Sequence, residues 1–139
     1  MQRAPLGNTG MTCNVIVIED EPLIALDIEF AAQDAGCNVT GIARTIDEAF
    51  QMLETSECDG AILDANLNGQ SAKPLMDHFE RTNMPYIIVS GYSRDQLDFV
   101  TDDVVLVGKP FSTMELTETI RQEIMLKSGG LLAKSDQQT

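Results

Sequence analysis

Three carboxylates, Glu19, Asp20 and Asp64, are of the type that could share a divalent cation, and Ser90 and Lys109 are of the type that could grip a phosphoryl group beside it. Each stands just after a short apolar run. Residues 14–18 lead into Glu19-Asp20-Glu21. Residues 60–63 lead into Asp64, with Asn66 two positions on. Residues 86–89 lead into Ser90-Gly91, and residues 104–107 into Gly108-Lys109-Pro110. Carboxylates crowded together repel, and a divalent ion relieves the repulsion. Hard oxygen ligands with room left for water suit Mg²⁺. One Mg²⁺ and the Lys109 ammonium would balance the three negative charges, so an anionic phosphoryl donor could enter. Phosphoryl transfer chiefly needs positioning and charge compensation, and an aspartate can act as the nucleophile and form an acyl phosphate. Asp64, at the end of a buried strand, suits that role. Glu19 and Asp20 suit metal binding. Lys109 supplies a mobile point charge, Ser90 a hydroxyl donor, and Gly91 leaves its backbone N–H open to approach.

Each residue alone also has a plainer reading. An acidic run at a helix start can simply favour the macrodipole. Asp64 could cap a turn, Lys109 could be a surface lysine, and Ser90 a turn residue. His78 reads as a helix residue, not a phosphohistidine. The argument for chemistry is the register of all these groups.

That register depends on the elements that carry it. Strand-like runs at 14–18, 38–43, 60–63, 86–89 and 104–107 alternate with helical patterns. Residues 22–35 carry Leu23, Leu26, Ile28, Phe30 and Ala31 as a broad apolar face, with Gly36 where a C-cap belongs. Thr45 and Glu48, Ser93 and Gln96, and Ser112 and Glu115 have capping-box spacing. Pro74 suits a first helical turn of residues 74–81. The pattern predicts an α/β, doubly wound five-stranded parallel sheet with five helices, flavodoxin-like, in strand order 2-1-3-4-5. Strand two ends in Ala43-Arg44, without a polar cluster. It lies outside the others in that order, so the polar groups converge on one end of the sheet.

The 139 residues fit one domain at 13–127, with a leader at 1–12 and a Ser/Gly/Gln-rich tail at 128–139. The charge of −13, with nine Lys+Arg against 22 Asp+Glu, speaks against nucleic acid as a partner. No run is long enough for membrane insertion, and residues 1–12 lack a secretory h-region. Cys13, Cys37 and Cys58 form no C-x-x-C pair and read as reduced thiols in a cytoplasmic protein. The seven methionines read as core filler.

The segments V-I-E-D-E (17–21), I-L-D-A-N-L-N-G (62–69), I-V-S-G-Y (88–92) and G-K-P-F (108–111) resemble the receiver domain of two-component response regulators over about residues 14–127. The resemblance implies that Asp64 is the phosphoacceptor. It implies that Glu19, Asp20, Asp64 and the backbone carbonyl of Asn66 bind Mg²⁺. Ser90 would be the switch hydroxyl, Lys109 the phosphoryl-binding lysine, and the Lys109-Pro110 bond cis. Two departures stand out. Leu106 occupies the place of the usual switch aromatic, and the loop Asn66-Leu67-Asn68-Gly69 lacks the usual proline. Both resemble the FATGUY branch, many of whose members are stand-alone domains, and Tyr92 is the candidate replacement aromatic.

The implied partner is a histidine kinase or histidine phosphotransfer protein. The implied output is protein–protein contact or phosphorelay through a non-enzymatic signalling domain. A phosphatase of the haloacid dehalogenase type would want a second Asp where Asn66 stands. A phosphorylation-independent binding module is the other alternative, and Leu106 keeps it open.

Overall fold

The apolar runs become the strands of a parallel sheet in the computed structural model, which describes residues 13–127. The elements in chain order are β1 (Cys13–Ile18), α1 (Pro22–Asp34), β2 (Cys37–Ala43), α2 (Ile46–Thr55), β3 (Gly60–Asp64), β4 (Asn66–Leu67), β5 (Gln70–Ser71), α3 (Lys73–Thr82), β6 (Tyr86–Ser90), β7 (Leu106–Gly108) and α4 (Thr113–Ile120). The last helix runs on as a π turn over Arg121–Met125. The sheet is five-stranded in the order β2-β1-β3-β6-β7, and β4-β5 form a separate two-stranded hairpin. All pairings in the main sheet are parallel. This is the predicted order, with the small hairpin counted separately. The expected leader and tail lie outside the described residues.

Both faces of the sheet are covered, which is why the strand sequences are continuously apolar. Val15, Val17, Ile62, Ile87 and Val89 point to the side of α1 and α4. Ile16, Ile18, Ala61, Leu63 and Ile88 point to the side of α2 and α3. The period of two along each strand thus splits one apolar run between two cores.

The helix ends follow local chemistry. Thr45 accepts a hydrogen bond from the Glu48 N–H at 3.1 Å and Ser112 from the Glu115 N–H at 2.9 Å, the N-caps read from the sequence. Pro22 opens α1. Gly36 follows it at φ +98, a conformation that favours glycine.

Two expectations are corrected. The described residues hold four α-helices, not five. The capping box of Ser93 and Gln96 forms, but it opens only a single 3₁₀ turn, Arg94–Gln96. Beyond it lie Asp98, Phe99, Thr101, Asp102 and Asp103, residues of modest helix propensity. Leu97 and Val100 still bury, held by successive i→i+3 bonds from the Leu97 N–H to Arg94 and from the Val100 N–H to Leu97. The second correction concerns α1. Its buried face is Ala25, Ile28, Ala31 and Ala32, while Leu23 (78% exposed), Leu26 (44%) and Phe30 (56%) face outward. The small residues let α1 pack against the sheet and α4, and the large ones are left on the opposite face.

Candidate functional site

The register of the strands brings their C-terminal ends level. Ile18 pairs with Leu63, Asp64 with Val89, and Ser90 with Gly108. The residues that follow therefore meet at one end of the sheet, where parallel-sheet proteins place their sites. Glu19, Asp20 and Asp64 each offer a carboxylate oxygen, and the three oxygens lie within 4.8 Å of one another. Glu19 is fully buried, Asp64 is 8% exposed, and Asp20 is half-buried.

Lys109 ties the cluster together. Its Nζ donates to Asp64 Oδ2 at 2.9 Å and to Glu19 Oε1 at 3.0 Å. The second oxygen of each partner is also engaged. Asp64 Oδ1 accepts from the Asn66 N–H at 3.1 Å, and Glu19 Oε2 from the Glu21 N–H at 3.2 Å. Asp20 Oδ2 accepts from the Asn68 N–H at 3.1 Å. The Lys109 backbone N–H donates to the Ser90 carbonyl at 2.8 Å, and the Lys109-Pro110 bond is cis, as the resemblance implies.

The electrostatics are those of a site short of positive charge. Burial pushes the Glu19 carboxyl up to about 7. The Lys109 hydrogen bond opposes that rise and the neighbouring Asp64 charge adds to it. Burial works against the Lys109 ammonium, but its hydrogen bonds to Asp64 and Glu19 outweigh it and hold the pKa above the ordinary lysine value. One ammonium shared between two buried carboxylates leaves Asp20 and part of Glu19 uncompensated. The oxygen donor set fits a hard divalent cation such as Mg²⁺.

The remaining predicted residues lie around this cluster. Ser90 is buried, and its Oγ accepts from the Tyr92 N–H at 3.0 Å, which leaves its proton available for donation. Gly91 is exposed, and a Cβ there would meet no heavy atom within 4 Å, so space alone does not demand a glycine. Tyr92 is 51% exposed and lies outside the core. Leu106 is half-buried and packs on the α2/α3 side. His78 is a half-buried helix residue with its ring edge-on to Phe50 and Phe79.

The hairpin at the rim of the site was not read from the sequence. Asn68 (φ 52) and Gly69 (φ 81) form its two-residue turn between β4 and β5. An Asn-Gly pair is the strongest short hairpin signal, so the cue was present. The turn presents the Asn68 N–H to Asp20 in a loop that has no proline.

Comparison with known proteins agrees with this geometry. The response regulator receiver domain family matches residues 15–121. The phyllosphere-induced regulator PhyR of Methylorubrum extorquens is 32% identical over 124 residues, covering 84% of this chain and 45% of that protein. The receiver domain of Erythrobacter litoralis PhyR, solved by NMR, superposes with a TM-score of 0.72 at 28% identity over 84% of this chain and 92% of that one. The anti-anti-sigma factor PhyR from Bartonella quintana gives 0.73 at 30% identity, covering 90% of this chain and 51% of that one. The chain spans about half the length of the full-length relatives it matches.

Proposed function

Because the chain belongs to the response regulator receiver domain family, we propose that it is a phosphorylation switch whose acceptor is Asp64. The observation that carries this reading is the Lys109 ammonium bridging Asp64 and Glu19, with Asp20 in the same cluster. A buried aspartate with one oxygen held by a backbone N–H and the other by the Lys109 ammonium is pre-aligned for in-line attack.

The donor would be a phosphohistidine of a histidine kinase or histidine phosphotransfer protein. An Asp64 oxygen attacks the phosphorus, the P–O bond forms, and the P–N bond breaks. The histidine leaves with the bonding electron pair. Lys109 then follows the new negative charge, and the Ser90 hydroxyl turns to donate to a phosphoryl oxygen. Gly91 would leave its N–H open to the same group. Glu19, Asp20, Asp64 and the Asn66 carbonyl would hold Mg²⁺, which supplies charge compensation when bound. Movement of Ser90 would release the Tyr92 N–H, so Tyr92 is the side chain through which the surface would report phosphorylation.

The exposed stripe of Leu23, Leu26 and Phe30 starts four residues after Glu19. It is the surface we assign to the phosphodonor. Output would run through protein–protein contact or phosphorelay in the cytoplasm. The anti-anti-sigma role belongs to the Bartonella quintana protein, and only the coarser role of a signalling domain is carried over. Among the described residues no helix is long and apolar enough to cross a membrane.

The test is intact mass after incubation with acetyl phosphate. A gain of roughly 80 Da, dependent on Mg²⁺ and absent in Asp64→Asn, is the expected result. Leu106 favours the second reading, a phosphorylation-independent binding module. That reading predicts partner binding unchanged by Asp64→Asn.

A further inference from the structure

At the far end of the sheet from the carboxylates, Cys13 and Cys37 open β1 and β2 and face each other as a register pair. Their Sγ atoms are 2.9 Å apart, with the Cys37 thiol donating to Cys13. Both side chains are buried on the α1/α4 side of the sheet, and neither is in a disulfide. Cys58 is half-buried and belongs to the opposite core. Paired strands lie about 4.8 Å apart, inside the roughly 4.4–6.8 Å Cα separation that a disulfide accepts. The register pair and the short Sγ separation therefore place the two sulfurs where an S–S bond can form without re-registering the strands.

We propose that Cys13 and Cys37 are a redox modification site, at which a hydroperoxide converts the thiol pair into a disulfide that staples edge strand β2 to β1. The Cys37 sulfur attacks hydrogen peroxide, the O–O bond breaks, and one oxygen leaves as water with the thiol proton. Cys37 is left as a sulfenic acid. The Cys13 sulfur then displaces the remaining oxygen as a second water and the S–S bond forms. Two thiols lose two electrons and two protons, and one peroxide becomes two waters.

The fold sets when this happens. The hydrogen bond to Cys13, together with burial, pushes the Cys37 thiol up, so it stays protonated while the strands are closed. β2 is an edge strand, and Gly36 just before it is in the left-handed region. Local opening of this strand end, short of global unfolding, admits the oxidant. In a reducing compartment the bond is transient and reset by thiol exchange.

The experiment uses the full chain treated with hydrogen peroxide, then alkylated and digested. No Lys or Arg lies between Arg3 and Arg44, so trypsin leaves both cysteines on one peptide, whereas cleavage after Glu19 and Glu29 separates them. The expected result is a mass loss of roughly 2 Da, with the Cys13 and Cys37 peptides joined and Cys58 still alkylated. Dithiothreitol should restore both thiols. The linked chain should melt roughly 10 °C higher than the reduced one. Cys58→Ser should keep the link and Cys37→Ser should abolish it. Recovery of the two peptides unlinked, alkylated or carrying oxygen, would overturn the proposal. So would a link through Cys58 or between two molecules. A linked chain that melts no higher than the reduced one would refute the claim that the native register already suits the bond. The wild-type digest decides the matter even if a variant fails to fold.

Discussion

Glu19 is fully buried and shares the Lys109 ammonium with Asp64, and its carboxyl is pushed up to about 7 from an ordinary value of 4.5. A carboxyl whose folded pKa exceeds its unfolded one holds its proton more tightly in the folded chain. Its contribution to stability is complete below pH 4.5 and is lost as pH rises through about 7. A shift of this size corresponds to something on the order of 3 kcal/mol. Chelator-treated protein should therefore have a lower melting midpoint at pH 8 than at pH 5, and Glu19→Gln should flatten that slope. The proposed Mg²⁺ site requires the deprotonated cluster, so Mg²⁺ should raise the midpoint more at pH 8 than at pH 5. An equal effect of Mg²⁺ at both pH values would argue against Glu19 as a ligand.

Helix α1 has one buried face and one exposed apolar face. Ile28 is fully buried, so Ile28→Ala should cost about 2–5 kcal/mol in denaturant melts. Phe30 is mostly exposed, and Phe30→Ser should change stability by no more than about 0.5 kcal/mol. The same variant should slow phosphorylation by a phosphohistidine protein at least tenfold and leave the acetyl phosphate reaction untouched, since in the proposed function only a protein donor meets the stripe. Equal rates from the protein donor would remove α1 from the docking surface. Two glycines separate steric from conformational demand in the same way. A Cβ at Gly60 would stand 2.6 Å from Ile124 Cγ2 and 3.1 Å from the Pro85 carbonyl oxygen, where the π turn of the last helix meets β3. Gly60→Ala should cost about 1–3 kcal/mol by overpacking. Gly69 has open space but φ +81, so Gly69→Ala should cost about 1 kcal/mol through backbone strain alone. Chemical denaturation of the pair measures both.

At the scale of the whole molecule, the charge of −13 makes the folded chain repel itself. Added NaCl screens this, and the melting midpoint should rise by roughly 2–5 °C between low and high salt. A fall would mean that local ion pairs such as Lys109 with Asp64 outweigh the global repulsion. What the sequence by itself determined is the sheet and which residues stand at its carboxyl end. Runs such as Ile87-Ile88-Val89, short and β-branched, read as strands buried on both faces. A parallel sheet places whatever follows them at one end, so Glu19, Asp20, Asp64, Ser90 and Lys109 were legible from spacing alone. The Asn68-Gly69 turn is legible too, because an Asn-Gly pair favours a two-residue hairpin turn. Only the tertiary structure decided which face of α1 turns inward. Its apolar residues surround the helix, so periodicity does not choose, and the choice falls to the small alanines that allow close packing against the sheet and α4. The helix expected after Ser93 was likewise decided late. Its cap formed, but the residues beyond it have modest helix propensity, and the segment took i→i+3 bonds while Leu97 and Val100 still buried. The meeting of Cys13 with Cys37 belongs to the same class, because strand register is a property of paired strands and no single run encodes it.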